Sequence, residues 1–303
     1  MATPISDAII TSALRKLRVI NAAETAPTVD LATGLEAMNA MLKAWQTRFT
    51  IWVDSEVCLF LAKDAQTYTL GPSGSPCCLL SEVAAAQLSV NAAAGATALT
   101  VDDNTGTDSG DAVGVQLDDG TLFWTSQNGA VSGTTDITLS TGVTTAASAG
   151  NSVFTYSSQI ARPIEIIEAR LRDTTDSDSP LIVHEGRREF MEITDKTSSG
   201  DATDILLLPT TTNATAYVWP VADDVSNRIV MTVRRTIGDF SSSLDFDGPP
   251  ESKEAIIYNL ALRLASEYDK EVTQTVAAMA KSTLDELVNF YRNREPVYLT
   301  PNR

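Results

Sequence analysis

The chain has 303 residues, 43% hydrophobic and 20% charged, which excludes a mostly disordered chain and gives enough length for two domains. Its 39 acidic residues against 22 basic ones leave a formal charge of −17. That balance excludes a sequence-independent grip on nucleic acid, which needs Lys and Arg along the phosphates, and disfavours anionic membranes.

Thr3-Pro4 caps and opens a predicted helix in which Ile5, Ile9, Ala13 and Leu17 share a face and Arg15, Lys16 and Arg18 gather at the end. Leu31, Leu35, Met38, Leu42 and Trp45 then recur at spacings of four and three, a second helical stripe. From Thr50 the period becomes strand-like through Trp52, Val53, Val57, Leu59 and Leu61, and Tyr68-Thr-Leu-Gly-Pro-Ser-Gly reads as a strand ending in a turn.

Between Lys63 and Arg162 there is no Lys or Arg, while Asp64, Glu82, Asp102, Asp103, Asp108, Asp111, Asp118, Asp119 and Asp136 lie inside. Short alternating runs at 98–101, 112–117, 121–125, 136–139 and 152–156 are separated by turn signals. They predict a small antiparallel sandwich or barrel. Mixed charge returns at Arg162. Ser179–His184 and Asp204–Leu208 read as strands around a polar loop, and 216–220 with 228–236 as a hairpin whose first strand Pro220 closes. Ile229, Met231 and Val233 share one face of its second strand. Gly248-Pro249-Pro250-Glu251 opens a helix carrying Ile256, Ile257, Leu260 and Leu264; another follows with Val272, Val276, Met279, Leu284, Leu287 and Tyr291.

The expected fold class is therefore α+β. N-terminal and C-terminal helix pairs with β-hairpins form a discontinuous body over 1–79 and 159–292, an all-β sandwich or barrel is inserted at 80–158, and 293–303 is an extended tail.

Chemistry is sparse. Cys58, Cys77 and Cys78 are odd in number and two are adjacent, so they give neither a disulfide framework nor a C-x-x-C metal spacing. With no basic stretch before an apolar segment near Met1 and no run of about 20 apolar residues, folding in a cytoplasm is expected. The single histidine, His184, ends a strand and has no sequence neighbour that would make it a catalyst. Asp102, Asn104, Asp108 and Asp111 do not match the spacing of a calcium loop and read as a solvated turn. Phe123, Trp124 and Trp45 read as core. No cofactor, metal or catalytic activity is expected. The tail has two readings, a disordered terminus or a stiff apolar peptide for a partner's groove, the latter built on Val297, Tyr298 and Leu299 between Pro296 and Pro301.

Taken in order, Ala13-Leu-Arg-Lys-Leu, Leu35-Glu-Ala-Met-Asn-Ala-Met-Leu-Lys-Ala-Trp, Tyr68-Thr-Leu-Gly-Pro-Ser-Gly, Arg162-Pro-Ile-Glu-Ile-Ile-Glu-Ala, Tyr217-Val-Trp-Pro-Val and Ala255-Ile-Ile-Tyr-Asn-Leu-Ala-Leu-Arg-Leu-Ala form a familiar series. The series resembles the tail accessory factors, or packaged-DNA stabilisation proteins, of short-tailed phages, over most of the chain apart from the insert. The resemblance implies a non-enzymatic virion protein, a head-to-tail adaptor of which typically twelve copies form a ring below the portal. Such a ring extends the DNA channel, retains packaged DNA that passes without specific binding, and docks the tail hub, nozzle or fibres.

The resemblance also implies that Arg292 to Arg303 reaches into the portal, with Arg292, Arg294, Pro296, Val297, Tyr298, Leu299 and Pro301 as contact residues. The insert departs from the shorter family pattern. Two alternatives stand beside this reading: a virion-associated cell-wall glycosidase using two carboxylates, and a carbohydrate-binding or adhesin module built on the insert.

Overall fold

The helices at the two ends of the chain are amphipathic and bury their apolar stripes against one another. In the computed structural model, which describes residues 5–48, 53–131, 133–235, 237–241 and 250–292, they are α1 (Ile5–Lys16), α2 (Thr28–Arg48), α4 (Ser252–Glu267) and α5 (Gln274–Arg292). In α1, Asp7 sits in the first turn and Arg15 and Lys16 in the last, as the helix dipole favours. It ends where Arg18 takes a left-handed conformation at φ 58° and the Val19 N–H donates back to Leu14 O at 3.0 Å.

Ile9, Leu14, Met38, Trp45, Ile256 and Leu264 lie in one core shared by these helices. Gly34 lets α1 and α2 approach closely, because a Cβ there would fall 2.3 Å from Ile10 Cγ2. Residues 237–241 run along α2 and are held by side chains spaced one turn apart. The Asn39 amide donates to Phe240 O at 3.1 Å and its oxygen accepts from Phe240 N at 2.9 Å. Gln46 donates to Ile237 O at 3.2 Å, and Lys43 pairs with Asp239 at 2.9 Å.

The strands of the middle of the chain are β1 (Val53–Phe60), β2 (Thr67–Leu70), β3 (Cys77–Leu79), β10 (Pro163–Arg172), β11 (Asp178–Pro180), β12 (Ile182–His184), β13 (Asp204–Pro209), β14 (Ala214–Trp219) and β15 (Arg228–Arg235), with a short helix α3 (Arg187–Met191). They form a five-stranded sheet in the order β11-β10-β15-β1-β3 and a four-stranded sheet in the order β12-β13-β14-β2. Alternation sends Val57, Leu59, Ile205, Val218, Ile229 and Met231 into one core.

The hairpin expected over 216–236 does not form. β14 pairs with β13 and β2, whereas β15 pairs with β10, so the two strands belong to different sheets. Strand β14 stops at Trp219, before Pro220, as expected. The intervening residues, turned at Asp224 whose carboxylate accepts from Ser226 N and Oγ, carry the chain between the sheets.

The Lys- and Arg-free segment contributes β4 (Ala84–Gln87), β5 (Ala98–Thr100), β6 (Ala112–Gln116), β7 (Leu122–Ser126), β8 (Asp136–Thr138) and β9 (Ser152–Tyr156). One sheet has the order β4-β9-β6-β7 and another pairs β5 with β8. Hydrogen bonds from Ser89 N to Thr100 O (2.8 Å) and Asp102 N to Gln87 O (2.9 Å) join β4 to β5. Those from Asn128 N to Thr138 O (2.7 Å) and Ser140 N to Ser126 O (2.9 Å) join β7 to β8. Single bridges at Leu88/Val101 and Gln127/Leu139 thus link the two sheets into a barrel. Leu99, Val101, Val113, Val115, Ile137 and Val153 fill it.

A second cluster seats the barrel on β1 and β3. The Phe60 ring lies 5.0 Å from Trp124, 5.1 Å from Phe154 and 5.7 Å from Tyr156, with Cys58 and Cys78 buried beside it. Gly114 makes this possible, since a Cβ there would stand 2.7 Å from the Trp124 ring. Lys63 Nζ donates to Asp119 O at 2.7 Å and holds the β6–β7 turn. Where the chain enters and leaves the barrel, Ser157 and Ser158 both donate to Glu82, at 2.9 and 3.0 Å.

By contacts the chain divides into residues 1–53 with 236–303, and residues 54–235. The segment expected as an insert, 80–158, lies wholly inside the second unit, together with β1 from Asp54 on, β2, β3 and β10 to β15.

Candidate functional site

The residues expected to bind a portal, Arg294, Pro296, Val297, Tyr298, Leu299 and Pro301, lie outside the described residues. Arg292 is the last residue of α5.

His184 has partners that the sequence did not reveal. Parallel pairing of β12 with β13 sets Ile182 opposite Asp204, so the histidine two residues on shares its face with that carboxylate. Its Nε2 lies 2.7 Å from Asp204 Oδ1, and the other Asp204 oxygen accepts from Thr203 Oγ1 at 2.6 Å. Its Nδ1 lies 3.8 Å from Glu189 on α3. The His184 and Asp204 side chains are 14% and 11% exposed.

Phe190 covers the pair, edge-on to the imidazole at 5.8 Å and 6.0 Å from Tyr217. Lys196 sits 4.2 Å from the Phe190 ring centroid and donates to Phe190 O. A nucleophilic triad places a hydroxyl or thiol on the imidazole nitrogen opposite the carboxylate. Here that nitrogen faces a second carboxylate, so the arrangement supports Asp204 beneath α3 and does not activate a nucleophile.

The acidic residues of the barrel are largely committed to its own backbone. Asp102 accepts from Gln87 N (2.7 Å) and Asp103 N (2.9 Å), and Asp111 accepts from Asp108 N (2.7 Å). Asp118 accepts from Ser148 N, Ser148 Oγ and Asn151. Asp119 accepts from Thr121 N and Oγ1. The pattern Asp-x-Thr or Asp-x-Ser recurs at Asp103, Asp119, Asp173, Asp195 and Asp224, each carboxylate capping the backbone two residues on.

These bonds favour the ionised form. Hydrogen bonds from Ser148 hold Asp118 below the usual carboxylate range, those from Thr121 do the same for Asp119, and that from Thr105 does so for Asp103. The Asp-x-Thr and Asp-x-Ser spacing is legible in the sequence, and these bonds show it forming turns. Among the described residues no group of three or more His, Cys, Asp and Glu is placed to hold a metal ion.

Trp124 belongs to the aromatic cluster against Phe60 and Tyr156, and Phe123 packs partly buried on the barrel core. A cleft of about 200 Å³ is lined by Gln87, Asp102, Ser152, Phe154, Asp176 and Arg228 among others. Arg228 pairs with Asp176 at 2.6 Å and stands 5.7 Å from the Phe154 ring centroid. With two carboxylates, Asp102 and Asp176, against one guanidinium in its lining, the cleft disfavours an anionic ligand. Among the described residues no helix is long and apolar enough to cross a membrane. The chain matches no protein-family model and no curated protein.

Proposed function

We propose that the chain is a structural virion protein, a head-to-tail adaptor that assembles as a ring below a portal, extends the DNA channel, retains packaged DNA and docks the tail. The observation that carries this reading is the ordered resemblance to tail accessory factors, whose motifs are packing segments of two cores. Residues 13–17 lie on α1 and the residue after it, and 35–45 and 255–265 lie on α2 and α4; the three helices share the helical core. Residues 68–74, 162–169 and 217–221 lie on or beside β2, β10 and β14, which enclose the other. A ring subunit of this kind needs rigid packed bodies and no active site. An acidic wall also suits a conduit, because like charge does not hold the duplex.

The barrel has no counterpart in the shorter family pattern, and we assign it to contact with the tail hub, a fibre or the capsid side. The portal anchor is assigned to Arg292 through Arg303. Apolar side chains such as Val297 and Leu299 contribute roughly 1.5 to 3 kcal/mol each when buried, before ordering costs, and their repetition around a ring multiplies attachment.

The test is electron microscopy of the protein mixed with purified phage portals. A second ring stacked on the portal is expected, and its loss on deletion of Asn293 to Arg303 with little change in melting temperature. Portals that stay bare, or undiminished binding by the truncated chain, would overturn the ring and the anchor respectively.

A further inference from the structure

Cys58 and Cys78 are direct partners across β1 and β3. Alternation puts both side chains on the face that carries Phe60, whereas Cys77 turns to the other face and packs in the core of the two sheets. The ladder fixes the kind of pair. Phe60 N–H donates to Pro76 O at 3.2 Å, and hydrogen-bonded pairs recur every second residue, so Cys58 and Cys78 form another, with Cα atoms about 5.5 Å apart. Disulfides span about 4.4 to 6.8 Å between Cα atoms but only about 3.5 to 4.5 Å between Cβ atoms; a hydrogen-bonded pair holds its Cβ atoms nearer 5.5 Å, so closure requires the two strands to shift by about 1 Å. Any bond to Cys77 would have to join opposite faces of a strand.

We infer that Cys58 and Cys78 are a latent cross-strand disulfide whose closure is gated by the seating of the barrel on β1 and β3. Both residues are fully buried, beside Phe60, Phe154 and Tyr156. Burial pushes the Cys58 thiol up to about 12 and raises Cys78 as well, so attacking thiolate is scarce while the barrel is seated. Loosening the aromatic cluster admits water and oxidant together.

With glutathione disulfide as oxidant, one cysteine thiolate displaces a glutathione thiolate and forms a mixed disulfide. The second cysteine sulfur then displaces the other glutathione. Two protein S–H bonds and one glutathione S–S bond are lost, one protein S–S bond forms, and two glutathione thiols leave with the protons and electrons. This inference is independent of the adaptor reading.

The test incubates the full chain with glutathione disulfide and reads intact mass and a non-reducing peptide map. The expected result is slow loss of two hydrogens, with Cys58 and Cys78 in one linked peptide pair. Cys77→Ser keeps the bond and Cys58→Ser abolishes it. Trp124→Ala speeds closure roughly tenfold or more, because the open population follows the free energy that seats the barrel. Should that variant not fold, sub-denaturing urea on the unaltered chain gives the same rise in rate. A disulfide that includes Cys77, or glutathione adducts that never close internally, would overturn the pairing. A rate unchanged by both Trp124→Ala and urea would overturn the gate.

Discussion

Phe60→Ala tests the joint between the barrel and the sheet that carries it. The side chain is 2% exposed and its ring contacts three others at 5.0 to 5.7 Å. Truncating a buried Phe to Ala costs about 3 to 5 kcal/mol, the lost ring contacts included. The expected loss is therefore about 4 kcal/mol, a large part of the roughly 5 to 15 kcal/mol that holds a domain together.

The barrel's own core, with Leu99, Val113 and Val153, contains none of these contacts. Amides of β6 and β9 should thus keep more protection from hydrogen exchange than amides of β1 and β3. Urea denaturation followed by circular dichroism gives the free energy, and exchange read by mass spectrometry gives its location. A loss below about 1 kcal/mol, or equal loss of protection in barrel and sheet, would refute the view that this cluster is the seat.

Gly114→Val should displace Trp124 and destabilise the barrel by about 1 to 3 kcal/mol, read as a lowered urea midpoint with altered near-ultraviolet circular dichroism. Asn39→Ala removes two hydrogen bonds to Phe240 and should cost about 1 to 3 kcal/mol in the same assay. Asp178 is held below its ordinary range chiefly by Arg172, and Asp173 by Ser177 and Thr175. A depressed carboxylate contributes stability above its unfolded pKa and loses it as pH falls through the folded value, so melting temperature should drop below about pH 4. Asp178→Asn should flatten that drop. Replacing Leu80 to Ser157 by a Gly/Ser linker should leave cooperative melting of the four helices, whose core holds no barrel residue. It should expose Phe60, so that dye binding rises and Phe60→Ser in the same chain lowers it.

Legibility followed the strength of local periodicity. Helices α1, α2, α4 and α5 were readable because their stripes recur over three or more turns, and five barrel strands because alternation and turn residues coincide. Strand β10 shows in the sequence only as mixed charge. Its buried positions are Pro163, Ile166, Ala169 and Leu171, since irregularities at Pro163/Glu165 and Ile166/Glu168 break the two-residue period. Helix α3 has five residues, too few to show a helical period.

The false hairpin arose because strands close in sequence usually pair, and here the chain crosses to another sheet. The partner of His184 was invisible for a related reason. Asp204 is twenty residues away and reaches it only through parallel pairing. The acidic excess was plain, but which carboxylates cap turns depends on the Ser or Thr two residues on, a pattern that its charge alone does not display.

The helical unit draws its halves from residues before 54 and after 235. On a ribosome, α1 and α2 emerge about 200 residues ahead of the helices that complete their core, an interval of roughly 10 to 40 s at 5 to 20 residues per second. During it the barrel, whose strands pair within one continuous stretch, can close first. Unfinished chains therefore expose the apolar stripes of α1 and α2 to chaperones and proteases, and the four-helix unit becomes a surface that only chains translated through α5 can present.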